Sequence, residues 1–238
     1  MDAAFLTDWL NLLLRWAHMI VGIAWVGASF YFIWLDNHLH APLDPADAAK
    51  GIGGEVWAVH GGGFYNPQKY TVAPARLPER LHWFKWEAYT TWLSGTALLF
   101  LVYWLHAGTM MLDPSKGDQA PWQAVALGAG AMAASWVIYD LLCRSPLGRH
   151  DGLLGAVVFA LLVTLAWGLS LRLGGRAVYL HVGACVGTIM AANVFFIIIP
   201  GRTNQVLLVV LYCSQSILAI VGELQIQLAN KINNYQTS

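Results

Sequence analysis

"WAHMIVGIAWVGASFY" (residues 16–31) holds one imidazole and one aliphatic hydroxyl, and apart from two indoles and a phenol its other side chains cannot hydrogen-bond. No proline, Asp, Glu, Lys or Arg interrupts it, and with its flanks it extends to an apolar run over residues 9–35. A helix needs about 20 such residues to cross the hydrocarbon core of a bilayer, so this run is long enough. It is too long for a cleaved signal peptide and has no basic segment before it, which makes it a retained first membrane helix. A lipid-facing imidazole would lose its water and gain nothing in return, so His18 should have a partner or a task.

The whole chain agrees with that start. Its apolar fraction is 58% and its charged fraction 11%, against roughly 25% charged in an ordinary soluble domain, so it cannot solvate a globule of this size. Net charge is zero and no long basic run occurs, which excludes the electrostatic footprint of a nucleic-acid binder. Cys143, Cys185 and Cys213 form no CxxC or CxxCH motif, so neither a disulfide framework nor a covalently attached haem is encoded. Further apolar runs cover residues 87–106, 122–142, 153–172 and 177–200, with a shorter one at 206–222. They are continuously apolar and do not alternate, which favours helices over a barrel. The predicted fold is an all-α membrane bundle of five to six transmembrane helices in a domain spanning residues 1–222, followed by a polar tail over 223–238. Small residues crowd "LGAGAMAAS" (127–135) and "HVGACVGTIMAAN" (181–193), where they would let backbones approach closely.

The one long connection, residues 36–86, carries Lys50, Lys69, Arg76, Arg80 and Lys85. Basic residues favour this side of the chain eight to four, so the positive-inside rule places the loop in the cytoplasm and both termini outside. Its aromatic content predicts an ordered loop. Within it "DPADAAKG" reads as an N-capped short helix, and "HGGGFYNPQKY" as irregular backbone held by glycine and proline.

On the first helix Arg15, His18, Gly22, Trp25 and Ser29 share one stripe, and on the fifth His181, Cys185, Thr188 and Ala192 share another. Odd-numbered helices run parallel in this topology, which predicts both histidines in the outer half of the membrane. Two axial imidazoles of a non-covalent b-type haem need that arrangement, with Arg15 positioned for a propionate and Gly22 leaving room for the ring. The alternative is a pair of structural histidines, each satisfied by a neighbouring helix. His106 is a further candidate ligand. His82 belongs with the loop, and no spacing on a helix suits zinc.

The segments "GEVWAVHGGGFYNPQKYTVAP" (54–74) and "LPERLHWFKWEAYTTWLSG" (77–95), with "HMIVGIAWVGASFYFIWLDNHL" and "HVGACVGTIMAANVFFIIIP", resemble the membrane domain of the bacterial cytochrome-c-linked urate oxidases, also called urate hydroxylases. The resemblance covers residues 5 to about 200. It implies oxidation of urate to 5-hydroxyisourate in purine breakdown, with electrons passing to a cytochrome c, in a multi-pass protein of the bacterial inner membrane. The first helix is also similar in pattern to membrane oxidases of haem biosynthesis. After Pro200 the sequence is expected to depart from the family, which continues into more helices and a CxxCH domain that this chain lacks.

The loop chemistry suits an anionic, planar, hydrogen-bonding substrate. Lys69, Arg76 and Arg80 can meet negative charge, Gln68 offers donor and acceptor, and Phe64, Tyr65 or Trp83 can stack on a ring. His60 or Glu87 is the expected base. The expected partners are urate, cytochrome c and the bilayer, and the composition is compatible with a homo-oligomer. Competing readings are a b-type haem electron-transfer or haem-handling protein and a purine channel or carrier.

Overall fold

The computed structural model describes residues 2–71, 82 and 84–199, and its architecture is the predicted helical membrane bundle with only small strands added. Four helices are long and apolar enough to cross a membrane: Phe5–Asn37, Pro121–Arg144, Asp151–Ser170 and Gly175–Ile198. The sixth predicted run (206–222) and the tail (223–238) lie outside the described residues. Two compact units emerge, one comprising residues up to Gly22 and from Glu87 onward, the other Ile23–Trp86. The first helix, α1 (Ala3–Asn37), contributes residues to both.

In the first unit, the run predicted as one helix over 87–106 is segmented. Helix α3 (Trp86–Leu98) widens into a π turn over Leu99–Trp104, and the chain leaves helical geometry at His106 (φ −116°, ψ 34°) before a short α4 (Ala107–Met110). Helix α5 (Pro121–Arg144) starts where Pro121 has no N–H to strand, and the Gln123 side chain accepts from the Ala120 N–H at 3.0 Å. Helix α6 (Asp151–Ser170) opens with an acidic residue in its first turn. Helix α7 (Gly175–Asn193) ends in a second π turn, Val194–Ile198. Gly174 N–H donates to Met111 O at 2.8 Å and Lys116 Nζ to Leu173 O at 2.6 Å, so the α6–α7 turn is bonded to the end of α4 and to the 3-10 turn Pro114–Lys116 after it.

Helix α7 is central. Its buried stripe Ala177, His181, Cys185, Ile189 and Asn193 recurs every fourth residue. Met111, Ala124, Leu169 and Leu173 pack around Ala177, Leu99 and Met132 around Cys185, and Tyr139, Leu154 and Val158 around Ile189. The small-residue rows contribute less uniformly than expected. A Cβ on Gly128 would strike the His181 ring, whereas Gly130, Gly183 and Gly187 face open space.

In the second unit, α2 (Pro45–Ala49) forms as predicted, with Asp44 Oδ1 accepting from Ala46 N at 2.8 Å. The glycine-rich stretch is not irregular. Strands β2 (Ala58–His60) and β3 (Gly63–Tyr65) pair antiparallel across Gly61 and Gly62, whose φ values of +59° and +81° give the two-residue primed turn that matches strand twist. Strand β1 (Ile52–Glu55) pairs with β4 (Gln68–Tyr70). The sheet is tied to α1 by Lys69 on Asp36 at 2.8 Å, and His40, just beyond that helix, bridges to Glu55.

Glu55 organises this unit. Buried to 4% exposure, its carboxylate accepts from Leu43 N at 3.0 Å, Asn66 Nδ2 at 3.0 Å and Gln68 Nε2 at 3.3 Å. The Leu43 N–H first, then Asn66 and Gln68, hold its carboxyl below the usual glutamate range against the opposing effect of burial. The contribution to stability is therefore complete above the unfolded-chain value and fades as pH falls through the lower folded value. Limited proteolysis of residues 38–71 should accelerate over that acid window, and Glu55→Gln should flatten the pH dependence while raising cleavage at neutral pH. A pH-independent cleavage rate in the parent chain would contradict this role.

Candidate functional site

His181 has no exposure to solvent. Its Nδ1 lies 2.7 Å from Ala177 O, and its Nε2 lies 3.2 Å from Trp104 Nε1. A carbonyl only accepts and an indole N–H only donates, so the ring is the neutral Nδ1–H tautomer with its Nε2 lone pair taken by Trp104. The π turn that ends at Trp104 precedes this contact directly, and Gly128 supplies the flat wall behind the ring.

His18 is arranged differently. Its Nδ1 lies 3.0 Å from Ser94 Oγ, whose own hydroxyl donates to Thr90 O at 2.7 Å. The ring must then donate Nδ1–H, leaving Nε2 with an unshared pair and no partner among the described residues. Gly95 provides the space, since a Cβ there would sit 2.9 Å from His18 Cε1. One turn away Gly22 faces Thr91.

The two imidazoles have different partners. Helix α7 runs antiparallel to α3, as Tyr89 against Phe195, Trp92 Nε1 on Thr188 Oγ at 3.0 Å and Trp104 on His181 show. His18 meets α3 at Ser94, and His181 meets Trp104 at the end of the π turn that follows α3. The donor chemistry fits His18 as one haem ligand, with its tautomer fixed from behind, while the Nε2 of His181 is taken by Trp104. His106 is exposed at the kink before α4, and Arg15 is exposed with its Nε on Asn11 Oδ1.

The loop residues are also more occupied than expected. Both amide hydrogens of Gln68 are used, on Asp47 Oδ2 at 3.0 Å and on Glu55 Oε2, and Lys69 is paired with Asp36. Tyr65 lies over Gly63 and is exposed, as is His60. Arg76 and Trp83 lie outside the described residues. Glu87, in the first turn of α3, has its Oε2 buried with no hydrogen-bond partner among the described residues, and Asn193 Nδ2 and Trp136 Nε1 are in the same condition. His60 and Glu87 belong to different units. The sequence reading missed Trp104, Trp92 and Asn193. A signal for the two indoles was their N–H, which a buried tryptophan normally donates.

Fold and site together define a polytopic helical membrane protein with an intramembrane histidine whose free nitrogen is suited to a ligand. A sequence model described as urate oxidase N-terminal matches residues 4–235, nearly the whole chain, so the protein belongs to that family. The match also corrects the expected boundary, because it continues well past Pro200. No curated protein matches the chain, and no solved structure does.

Proposed function

We propose that this chain is a membrane oxidoreductase that converts urate to 5-hydroxyisourate, with electrons leaving through haem b toward a cytochrome c at the outer face of a bacterial inner membrane. Family membership over residues 4–235 carries the substrate assignment, and the free Nε2 of His18 supports the cofactor. Urate and water yield 5-hydroxyisourate, two protons and two electrons. Bound at His18, haem would supply a one-electron redox centre within the membrane. Ser94 holds the His18 ring in the required tautomer, and Gly95 leaves it room. The proposed substrate site is the loop at 36–86, facing the cytoplasm, where His60 and Tyr65 stand exposed on one hairpin. Since Gln68 and Lys69 are already bonded, they shape the site through Glu55, Asp47 and Asp36, while Arg76 and Trp83 contact the substrate. His60, on that hairpin, accepts the proton.

Urate gives up two electrons and a haem iron takes one at a time, so turnover requires an electron acceptor. Purified protein should be coloured, and urate added without oxygen should reduce the pigment. Multiple turnovers are expected only with soluble cytochrome c or an artificial oxidant. A colourless preparation that moves urate across vesicles would replace this reading with a carrier. Sustained hydrogen peroxide formation from urate and oxygen alone, at the rate seen with cytochrome c, would make it an oxidase.

A further inference from the structure

We infer that the β2–β3 hairpin is an interfacial anchor whose Trp57, Val59 and Phe64 side chains enter the lipid surface, leaving His60 and Tyr65 on its water-facing side. The inference does not depend on the proposed reaction. Strand pairing sets Val59 opposite Phe64 and His60 opposite Gly63, with Ala58 opposite Tyr65. Directly opposed residues project from the same face and successive residues from opposite faces. One face therefore carries Val59 and Phe64, continued by Trp57, and the other His60, Ala58 and Tyr65, the last lying over Gly63. The first face is open, with Trp57 59%, Val59 66% and Phe64 79% exposed. Three large apolar side chains aligned on a two-stranded ribbon are an unstable surface in water.

Several observations favour lipid as the occupant. No Asp, Glu, Lys or Arg occurs between Glu55 and Lys69, so insertion of the hairpin desolvates no fixed charge. The span that includes the end of α1 is 33 residues long, about 50 Å at a helical rise, against about 40–45 Å for a bilayer with its headgroups. An aromatic cluster of Tyr31, Phe32 and Trp34 occupies its last turns, the composition of a membrane–water belt. The Lys69–Asp36 ion pair fastens the β1–β4 sheet to the end of α1, and the hairpin continues from that sheet through the bond of Val56 N–H to Pro67 O at 3.2 Å, which places the hairpin base at headgroup level. Trp57 also has the amphipathic character such positions use, because an indole pairs a polar N–H with a large apolar ring, and most of that ring is open.

The test uses the full chain with Cys143, Cys185 and Cys213 replaced by alanine, reconstituted in vesicles of phosphatidylcholine and phosphatidylglycerol. Single cysteines introduced as Val59→Cys, Phe64→Cys, His60→Cys and Tyr65→Cys are labelled with an environment-sensitive fluorophore. Nitroxide lipids labelled at a shallow acyl position should quench positions 59 and 64 at least about twofold more than 60 and 65, with aqueous iodide giving the reverse order. Two positions on each face keep the result readable if one variant fails to fold. Equal quenching on both faces would overturn the inference. So would shielding of 59 and 64 from both quenchers, which would mean that another part of the protein or a second copy covers the hairpin.

Discussion

Gly128→Ala should unfold the bundle at a markedly lower temperature and break the bond between Trp104 and His181. The added Cβ would stand 2.4 Å from both Cδ2 and Nε2 of His181, far inside van der Waals contact. The ring cannot simply turn aside, because Ala177 O holds one edge, Trp104 the other, and it has no exposure. Overpacking at a buried site costs about 1–3 kcal/mol, and an imidazole or indole left unpaired adds about 1–3 kcal/mol. Gly130→Ala, two residues along the same helix, is the control. It faces nothing within 4 Å, so the gain in helix propensity should leave it neutral or more stable by up to about 1 kcal/mol. Thermal unfolding in one detergent compares the two. Equal behaviour would mean that Gly128 is no tighter than its neighbours and that the His181 pocket is loose.

That contrast also shows what the sequence could and could not disclose. Hydropathy alone located α1, α5, α6 and α7, because a membrane segment is set by length and composition. Asp44 before Pro45 disclosed α2 by capping chemistry. A row of glycines gives no hint of which one faces a ring, since that depends on helix rotation set by packing, and so Gly128 looked the same as Gly130, Gly183 and Gly187. The stretch after His60 looked irregular because three consecutive glycines suggest a break in structure, yet two of them at positive φ are what a two-residue hairpin needs. Nothing in the sequence showed that two of the loop donors are bonded within the chain. Gln68 and Lys69 can each meet an anion, and the carboxylates they meet, Asp47, Glu55 and Asp36, belong to the chain itself. His18 and His181 shared a stripe pattern that gave no sign of their different partners, Ser94 for the one and Trp104 for the other.

Their different partners make opposite outcomes expected at the two histidines. In the proposed haem site His18→Ala should strip the cofactor, or leave it five-coordinate with an altered Soret band, and added imidazole should restore the lost spectrum by occupying the cavity. Ser94→Ala keeps the ring but frees its Nδ1–H, and outer-shell losses of this kind weaken retention about 10–100-fold. Gly95→Ala should act in the same direction, because a Cβ 2.9 Å from His18 Cε1 pushes the ring off its position. His181→Gln should lower the melting temperature yet leave the spectrum in place, since the Nε2 it removes already belongs to Trp104. Spectra and melting curves on the same four preparations separate ligation from packing, because a merely structural His18 would lose stability with no response to imidazole. An unchanged low-spin spectrum in His18→Ala would remove His18 as a ligand and leave exposed His106, at the kink before α4, as the histidine to substitute next.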